Sequence, residues 1–551
     1  MNKKTTIILP LLIAVSIAGG ILIGNMLSQN SRPVMGMLGQ SKPNKLATIL
    51  DLIDHGYVDS VNTSDIVEQT IPEILKNLDP HTTYIPARNM QEVQEEMQGN
   101  FSGIGVQFSV QEDTVRVIEV ISGGPSSKVG ILPGDRIVRV NDSIIAGVNV
   151  ENSTVLNLLR GKKNSKVEVG IIRKGSGNEL EFEIIRGDIP IYSVDVSYMI
   201  DDETGFIKVS RFADKTYSEF MLGMQKLENL GASKVIIDLR QNPGGSLSGV
   251  LRMVDEFLKN GEPILYTEGI NQPRKTYNSS GKNSWKDIQV FVMIDEFSAS
   301  ASEIFAGALQ DNDRGIIIGR RSFGKGLVQE QIPLMDGSAL RLTVARFYTP
   351  SGRCIQGAYD NGKEEYYNDM YERFHSMEQL VADSIHFADS LQYQTKSGRI
   401  VYGGGGIMPD FFVPVDTSGN SEYFNQIYRK GLIYSFAYSY ADKHREVLSK
   451  FTKAEELEKF LDGKKVLAEF VKDASEKGIL KDENGLKESG LIINTQLKAY
   501  IARNIIGEEG FYPIIKTIDK TLLRAIEISG QNLLVENISK NDTTSFLPQL
   551  K

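Results

Sequence analysis

Residues Ile288 to Gln310 read IQVFVMIDEFSASASEIFAGALQ, and this stretch decides the fold. It opens with an apolar run of strand length, rich in Val, Ile and Phe, which predicts a strand buried on both faces. A turn with alternating serines follows, and then apolar residues return at helical spacing. Upstream, TGFIKVSRF predicts a strand, YSEFMLGMQKLENLG an amphipathic helix ending at glycine, KVIIDLR a second buried strand, and SGVLRMVDEFL a second helix. This strand–helix rhythm predicts a largely parallel sheet with covering helices over residues 189–415. A polar, Tyr-rich insertion at 358–399 interrupts it before GGGGIMPD returns to the core pattern.

At 551 residues the chain requires several cores. Residues 45–98 carry helical spacing, broken at Pro80 and Pro86. Residues 99–188 change to short strands such as GIGVQFSV, TVRVIEVI and KVEVGIIRK, a small β-rich module. Residues 416–551 read as amphipathic helices, among them TKAEELEKFLDGKKVLAEFVKDA. The fold class is therefore α/β multidomain, with an inserted β-rich domain, a helical N-terminal segment and a helical C-terminal extension.

The chain begins with Lys3-Lys4 and an uncharged apolar run from Thr5 to Leu27, long enough to span a bilayer. Residues 1–28 are expected to act as a signal or uncleaved anchor, with 29–44 as a linker. The lysines stay cytoplasmic, so the rest of the chain is expected on the outer side, in the cell envelope. Acidic residues outnumber basic ones 70 to 61, which argues against a nucleic-acid partner. Cys354 is the sole cysteine, which excludes an internal disulfide and a Cys-rich zinc site.

Turns after parallel strands are where α/β sheets place their sites. Two stand out: RQNPGGSL after Leu239 and EFSASASE after Asp295. Ser300 and Glu303 have the S-x-x-E spacing of a capping box. The same position, beside free backbone N–H groups and a helix dipole, suits a nucleophile and its oxyanion. Both readings stand on these residues alone. A nucleophilic serine needs a base, and all five histidines fall outside the glycine-rich blocks. Lys325, in FGKG, is the alternative. As a base it must be neutral, which means lowering its pKa from ~10.4 to roughly 7–8, or ~4 kcal/mol. Burial without a carboxylate partner does this. Along a strand Lys325, Leu327 and Gln329 share a face, and the neutral Gln329 amide can orient the amine without restoring its charge. In the β-rich module the turn in FSGIGVQF presents N–H groups from Ile104 to Val106, a nest for a peptide's terminal carboxylate beside a strand that can accept an added strand.

Taken together, SGIGVQF with GGPSSKVGILPGDRIVRVND, DLRQNPGG, the serine block, GRRSFGKGLVQ and GGGIMPD resemble, in the same order, the carboxyl-terminal processing peptidases, or tail-specific proteases. The similarity covers about residues 45–415. It implies a PDZ domain at 99–188 inserted in a crotonase-like protease core, and a serine endopeptidase with a Ser-Lys dyad. By position in the family motifs, Ser300 is the nucleophile, Lys325 the base and Gln329 its support. Ala301 supplies one oxyanion N–H, and Gly245 or Gly244 the other. Ser298 and Ser302 are structural. Gly103, Ile104, Gly105 and Val106 are expected to bind the substrate tail, and Arg160 falls where the family has an arginine suspected of sensing the bound state. The implied partners are proteins with apolar C-terminal tails, with no metal or organic cofactor. The insertion and the C-terminal region are expected to make homo-oligomer contacts or bind a regulator. The competing reading is a catalytically silent PDZ scaffold or chaperone.

Overall fold

The computed structural model describes residues 44–531, apart from 112, 122, 174, 175, 177, 283, 376–379 and 382–388. The expected N-terminal span lies outside the described residues. Among those described, no helix is long and apolar enough to cross a membrane.

The chain divides into two compact units, one ending at Ile74 and one starting at Leu75. In the first, helix Lys45–Gly56 begins where the Asn44 side chain accepts the Leu46 N–H. It buries none of its residues, and helix Thr63–Leu75 follows it.

The second unit is organised by a six-stranded sheet in the order Val194–Met199, Thr204–Val209, Lys234–Asp238, Gln289–Ile294, Gly315–Gly319, Phe411–Phe412. The first pair is antiparallel and the others are parallel. The apolar runs read above as doubly buried are so. Ile207, Val235, Ile237, Val290 and Val292 pack under helices Thr216–Asn229, Leu247–Asp255 and Ala301–Asp311. Phe206, Ile236, Phe291 and Met293 point to the opposite face, where Leu522, Ala525 and Ile528 of helix Lys520–Gly530 cover them. A C-terminal helix therefore completes the core of this six-stranded sheet.

A second sheet of five strands departs from the strand–helix rhythm. Pro263–Gly269 and Gln272–Asn278 form a hairpin that pairs with Ala339–Tyr348. That long strand also takes Leu327–Pro333 and a short strand, Thr83–Ile85, from the segment read as helical. The prolines flanking HTTYI leave extended backbone there.

The β-rich module builds a sheet in the order Val106–Gln111, Thr114–Val120, Arg136–Val140, Lys166–Ile172, Leu180–Ile185. Val106–Gln111 lies at its edge. Helices from Glu422 to Ile515 bury an apolar cluster of their own. The long amphipathic stretch at 452–474 breaks around Gly463 into helices Ala454–Asp462 and Val466–Glu476. These helices also reach the β-rich module, where the Tyr438 hydroxyl donates to the Val117 carbonyl at 3.0 Å.

Candidate active site

Strands Lys234–Asp238 and Gln289–Ile294 are parallel neighbours, with Asp238 opposite Met293. The two turns that follow them therefore emerge side by side. They are stitched together by groups that are all buried. Ser298 Oγ accepts the Asp295 N–H and donates to the Leu239 carbonyl, both at 2.9 Å. Ser302 Oγ donates to the Asn242 carbonyl at 2.9 Å, and Ala299 N–H donates to the same oxygen at 3.0 Å. Ser298 and Ser302 are thus fully occupied in joining turns.

Ser300 stands apart. Its backbone is at φ +54°, ψ −108°, a conformation a non-glycine residue holds only when its surroundings over-determine it. One cause is Gly244: a Cβ there would lie 2.6 Å from the Ala299 carbonyl and 2.8 Å from Ser300 Cβ. The two glycines differ in availability. Gly244 is buried and its N–H donates to Asn242 Oδ1 at 2.9 Å. Gly245 is exposed, and among the described residues its N–H donates to no acceptor. Ala301, the first residue of its helix, likewise has a free N–H.

Glu303 links this turn to the lysine loop. Its fully buried carboxylate accepts from Ser300 N at 2.8 Å, Ser322 Oγ at 2.6 Å, Gly324 N at 2.7 Å and Lys325 N at 2.9 Å. Burial pushes its carboxyl above the usual range, while these bonds favour the ionised form. Phe323 N–H adds a direct link to the Ser298 carbonyl at 3.0 Å. Half of the capping-box pattern read from S-x-x-E therefore serves to hold Ser300 and Lys325 on one carboxylate.

Lys325 Nζ donates to Gln329 Oε1 at 3.1 Å. The strand starts only at Leu327, and its register shifts between Val328 and Gln329, so simple strand alternation does not account for this contact. The orientation of Gln329 is set by its other end, where Nε2 donates to the His81 carbonyl at 2.5 Å. Burial lowers the Lys325 pKa and the Arg341 charge adds to this, against opposing pulls from Glu303 and Asp79. Among the described residues no ion pair involves Lys325, and no hydrogen bond joins it to Ser300 Oγ.

The wall around Lys325 was not visible in the sequence. Asp79 accepts from His81 N and Thr82 N, both at 2.9 Å, and from Thr343 Oγ1 at 3.1 Å. The His81 ring meets Tyr366 edge-on at 5.5 Å. Burial and then the Lys325 charge pull the His81 pKa down to about 4. From the insertion, Arg373 donates to the Ser322 and Phe323 carbonyls at 3.0 and 3.1 Å.

In the β-rich module, Gly105 lies at φ +76°, with Ile189 Cδ1 2.9 Å from where a Cβ would sit. Ile104 is buried, and Gly103 pairs with Gly187. Among the described residues, strand Val106–Gln111 has a partner on one side only, Thr114–Val120. Arg160 lies 4.7 Å over the Phe101 ring, with Glu92 3.9 Å away. Arg160 thus stands beside Gly103–Val106, and no contact joins it to Ser300, Lys325 or Gln329 among the described residues.

Comparison with known proteins agrees with this architecture. Residues 203–361 match peptidase family S41, residues 102–184 match the PDZ domain, and residues 423–507 match a family of unknown function. A carboxy-terminal-processing protease of Bartonella bacilliformis is 33% identical over 318 residues, covering 57% of this chain and 72% of that one. The chain belongs to peptidase family S41. The carboxy-terminal processing proteases CtpA and CtpB of Bacillus subtilis are 33% and 32% identical, covering 58% and 57% of this chain and 67% and 65% of theirs. The S41 protease is thus a serine-type, carboxy-terminal processing endopeptidase with a PDZ domain.

Proposed function

We propose that this peptidase cleaves envelope proteins selected by their apolar C-terminal tails, using Ser300 and Lys325 as a catalytic dyad. The observation that carries this reading is the Glu303 carboxylate, which bonds the backbone of both residues, together with a half-buried lysine that has no ion partner among the described residues and donates to a neutral amide.

In the reaction, neutral Lys325 accepts the Ser300 proton as Oγ attacks the peptide carbonyl carbon. The resulting oxyanion is held by the N–H groups of Ala301 and Gly245, aligned before charge develops. Gln329 holds the amine without a competing negative charge. Lys325 then protonates the leaving nitrogen, the C–N bond breaks, and an ester remains on Ser300. The same amine takes a proton from water as it attacks the ester carbon, and then gives that proton to Ser300 Oγ as the acyl–oxygen bond breaks. The missing Ser300–Lys325 hydrogen bond forms on substrate engagement, as catalytic contacts often tighten in the complex. The tail carboxylate binds at Gly103–Val106, and the chain adds as a strand to Val106–Gln111. Arg160, next to that loop, reports occupancy. The apolar run at Thr5–Leu27 directs the enzyme to the outer face of the membrane and anchors it there.

The test is cleavage of one unfolded protein carrying either an apolar or a charged C-terminal tail. The full-length enzyme is expected to prefer the apolar tail at least tenfold in kcat/KM, and Ser300→Ala to abolish cleavage of both. Equal cleavage of both tails removes the PDZ selection, and undiminished cleavage by Ser300→Ala removes the dyad.

A further inference from the structure

The oxyanion turn leaves its strand through Asp238-Leu239-Arg240, and the guanidinium of Arg240 is gripped by two carboxylates. Nε and Nη2 donate to Asp238 at 3.0 and 2.7 Å. Nη1 and Nη2 also donate to Asp519, at 2.9 and 2.6 Å. Asp238 is the last residue of the strand, two positions before Arg240, whereas Asp519 lies 279 residues beyond Arg240. It is outside residues 203–361, which match the peptidase family, and outside 423–507. It caps helix Lys520–Gly530, accepting the Leu522 N–H at 3.0 Å. That helix is seated on the protease sheet by Leu522, Ala525 and Ile528, so the carboxylate arrives at a fixed place.

The charges explain why a second carboxylate is needed. Lys208 Nζ donates to the Arg240 carbonyl at 2.5 Å and stands 3.3 Å from Asp238. With Asp238 alone, two cations would share one anion in a site where Arg240 is 19% exposed and Asp238 2%. Asp519 makes the cluster neutral. Arg240 is followed directly by Gln241 at φ +58°, and four and five residues on by Gly244 and Gly245. Such a strained residue keeps its conformation only under enough restraints. The Gln241 N–H is held by Asp295 at 2.9 Å, the Asn242 carbonyl by Ser302 and Ala299 and its side chain by the Val209 carbonyl, and the Arg240 side chain fixes the end of the turn nearest the strand.

We propose that Asp519, delivered by the C-terminal helical region, is a positioning residue that holds Arg240 and through it the turn carrying the Gly245 N–H. This rests on the assignment of that turn to the oxyanion site, and it gives the C-terminal region a part in the reaction. Asp519→Asn keeps a side chain that caps the helix but removes the charge, whereas Asp519→Ala removes both. The measurements are kcat and KM for cleavage of a protein with an apolar tail, affinity for the tail peptide, and thermal midpoint, on full-length enzyme. Both variants are expected to lower kcat roughly 10-fold to 100-fold, the scale of a small displacement at a reacting centre, with KM and tail affinity unchanged. A parental kcat for Asp519→Asn beside a lowered one for Asp519→Ala would mean a helix cap only and overturn the proposal, as would parental kcat in both. Cleavage that survives Ser300→Ala would instead fail the underlying site assignment, and the proposal with it.

Discussion

Replacing Gln329 by Glu is nearly isosteric and puts a carboxylate where the amide oxygen now stands, 3.1 Å from Lys325 Nζ. At that distance, with an effective dielectric of about 20, the attraction favours the ammonium form by about 5 kcal/mol. At ~1.36 kcal/mol per decade, the neutral fraction of Lys325 near pH 7 falls more than ~1000-fold. The His81 carbonyl, which now accepts from the amide, would face an oxygen and add to the disturbance. The assay is a pH profile of kcat/KM. In the parent, activity is expected to rise with pH as Lys325 loses its proton, along a limb that burial lowers below the usual lysine range. Gln329→Glu is expected to move that limb to higher pH and to recover activity as pH rises. A limb that stays where the parent has it, or a loss that no pH restores, would refute the lysine's role as base.

Two further outcomes follow from the same wall of groups. Glu303→Gln replaces an acceptor of four bonds with a group that must turn an amide N–H toward a backbone N–H. It is expected to lower kcat about 100-fold or more while circular dichroism stays parental, because Ser300 and Lys325 lose their shared anchor. His81, with its pKa near 4, is neutral in the fold, whereas the unfolded chain binds its proton below about 6.5. The unfolded state therefore holds more protons across that window, and stability falls as pH drops through it, by about 3 kcal/mol in total. His81→Gln, which keeps the backbone carbonyl, is expected to flatten this part of the urea-denaturation profile. An unchanged slope would contradict the burial of a neutral imidazole.

The serine block was legible because its meaning is local: a buried strand, a turn and a helix start within 23 residues. The structural roles of Ser298 and Ser302 came instead from the resemblance, which makes the middle serine of the block the nucleophile. Choosing between Gly244 and Gly245 was not legible, since both are left-handed in φ and what separates them is burial and the bond from Gly244 to Asn242. His81 escaped because it acts on Gln329 through its carbonyl, a group every residue carries. The LDPHTTYIP stretch accordingly read only as a helix breaker. The second sheet escaped because the second strand of its hairpin, Gln272–Asn278, is polar and exposed, and its partner Ala339–Tyr348 lies some 60 residues downstream. Asp519 carried no signal in the sequence, because its partner Arg240 stands 279 residues away.

The most direct test of the Ser300–Lys325 account is an acid quench during turnover of a tailed substrate, followed by mass mapping of the peptide that contains Ser300. The account predicts an ester adduct of the N-terminal substrate fragment on Ser300, absent in Ser300→Ala and formed far more slowly in Lys325→Ala. Parental turnover by either variant, or an adduct on another residue, would contradict it.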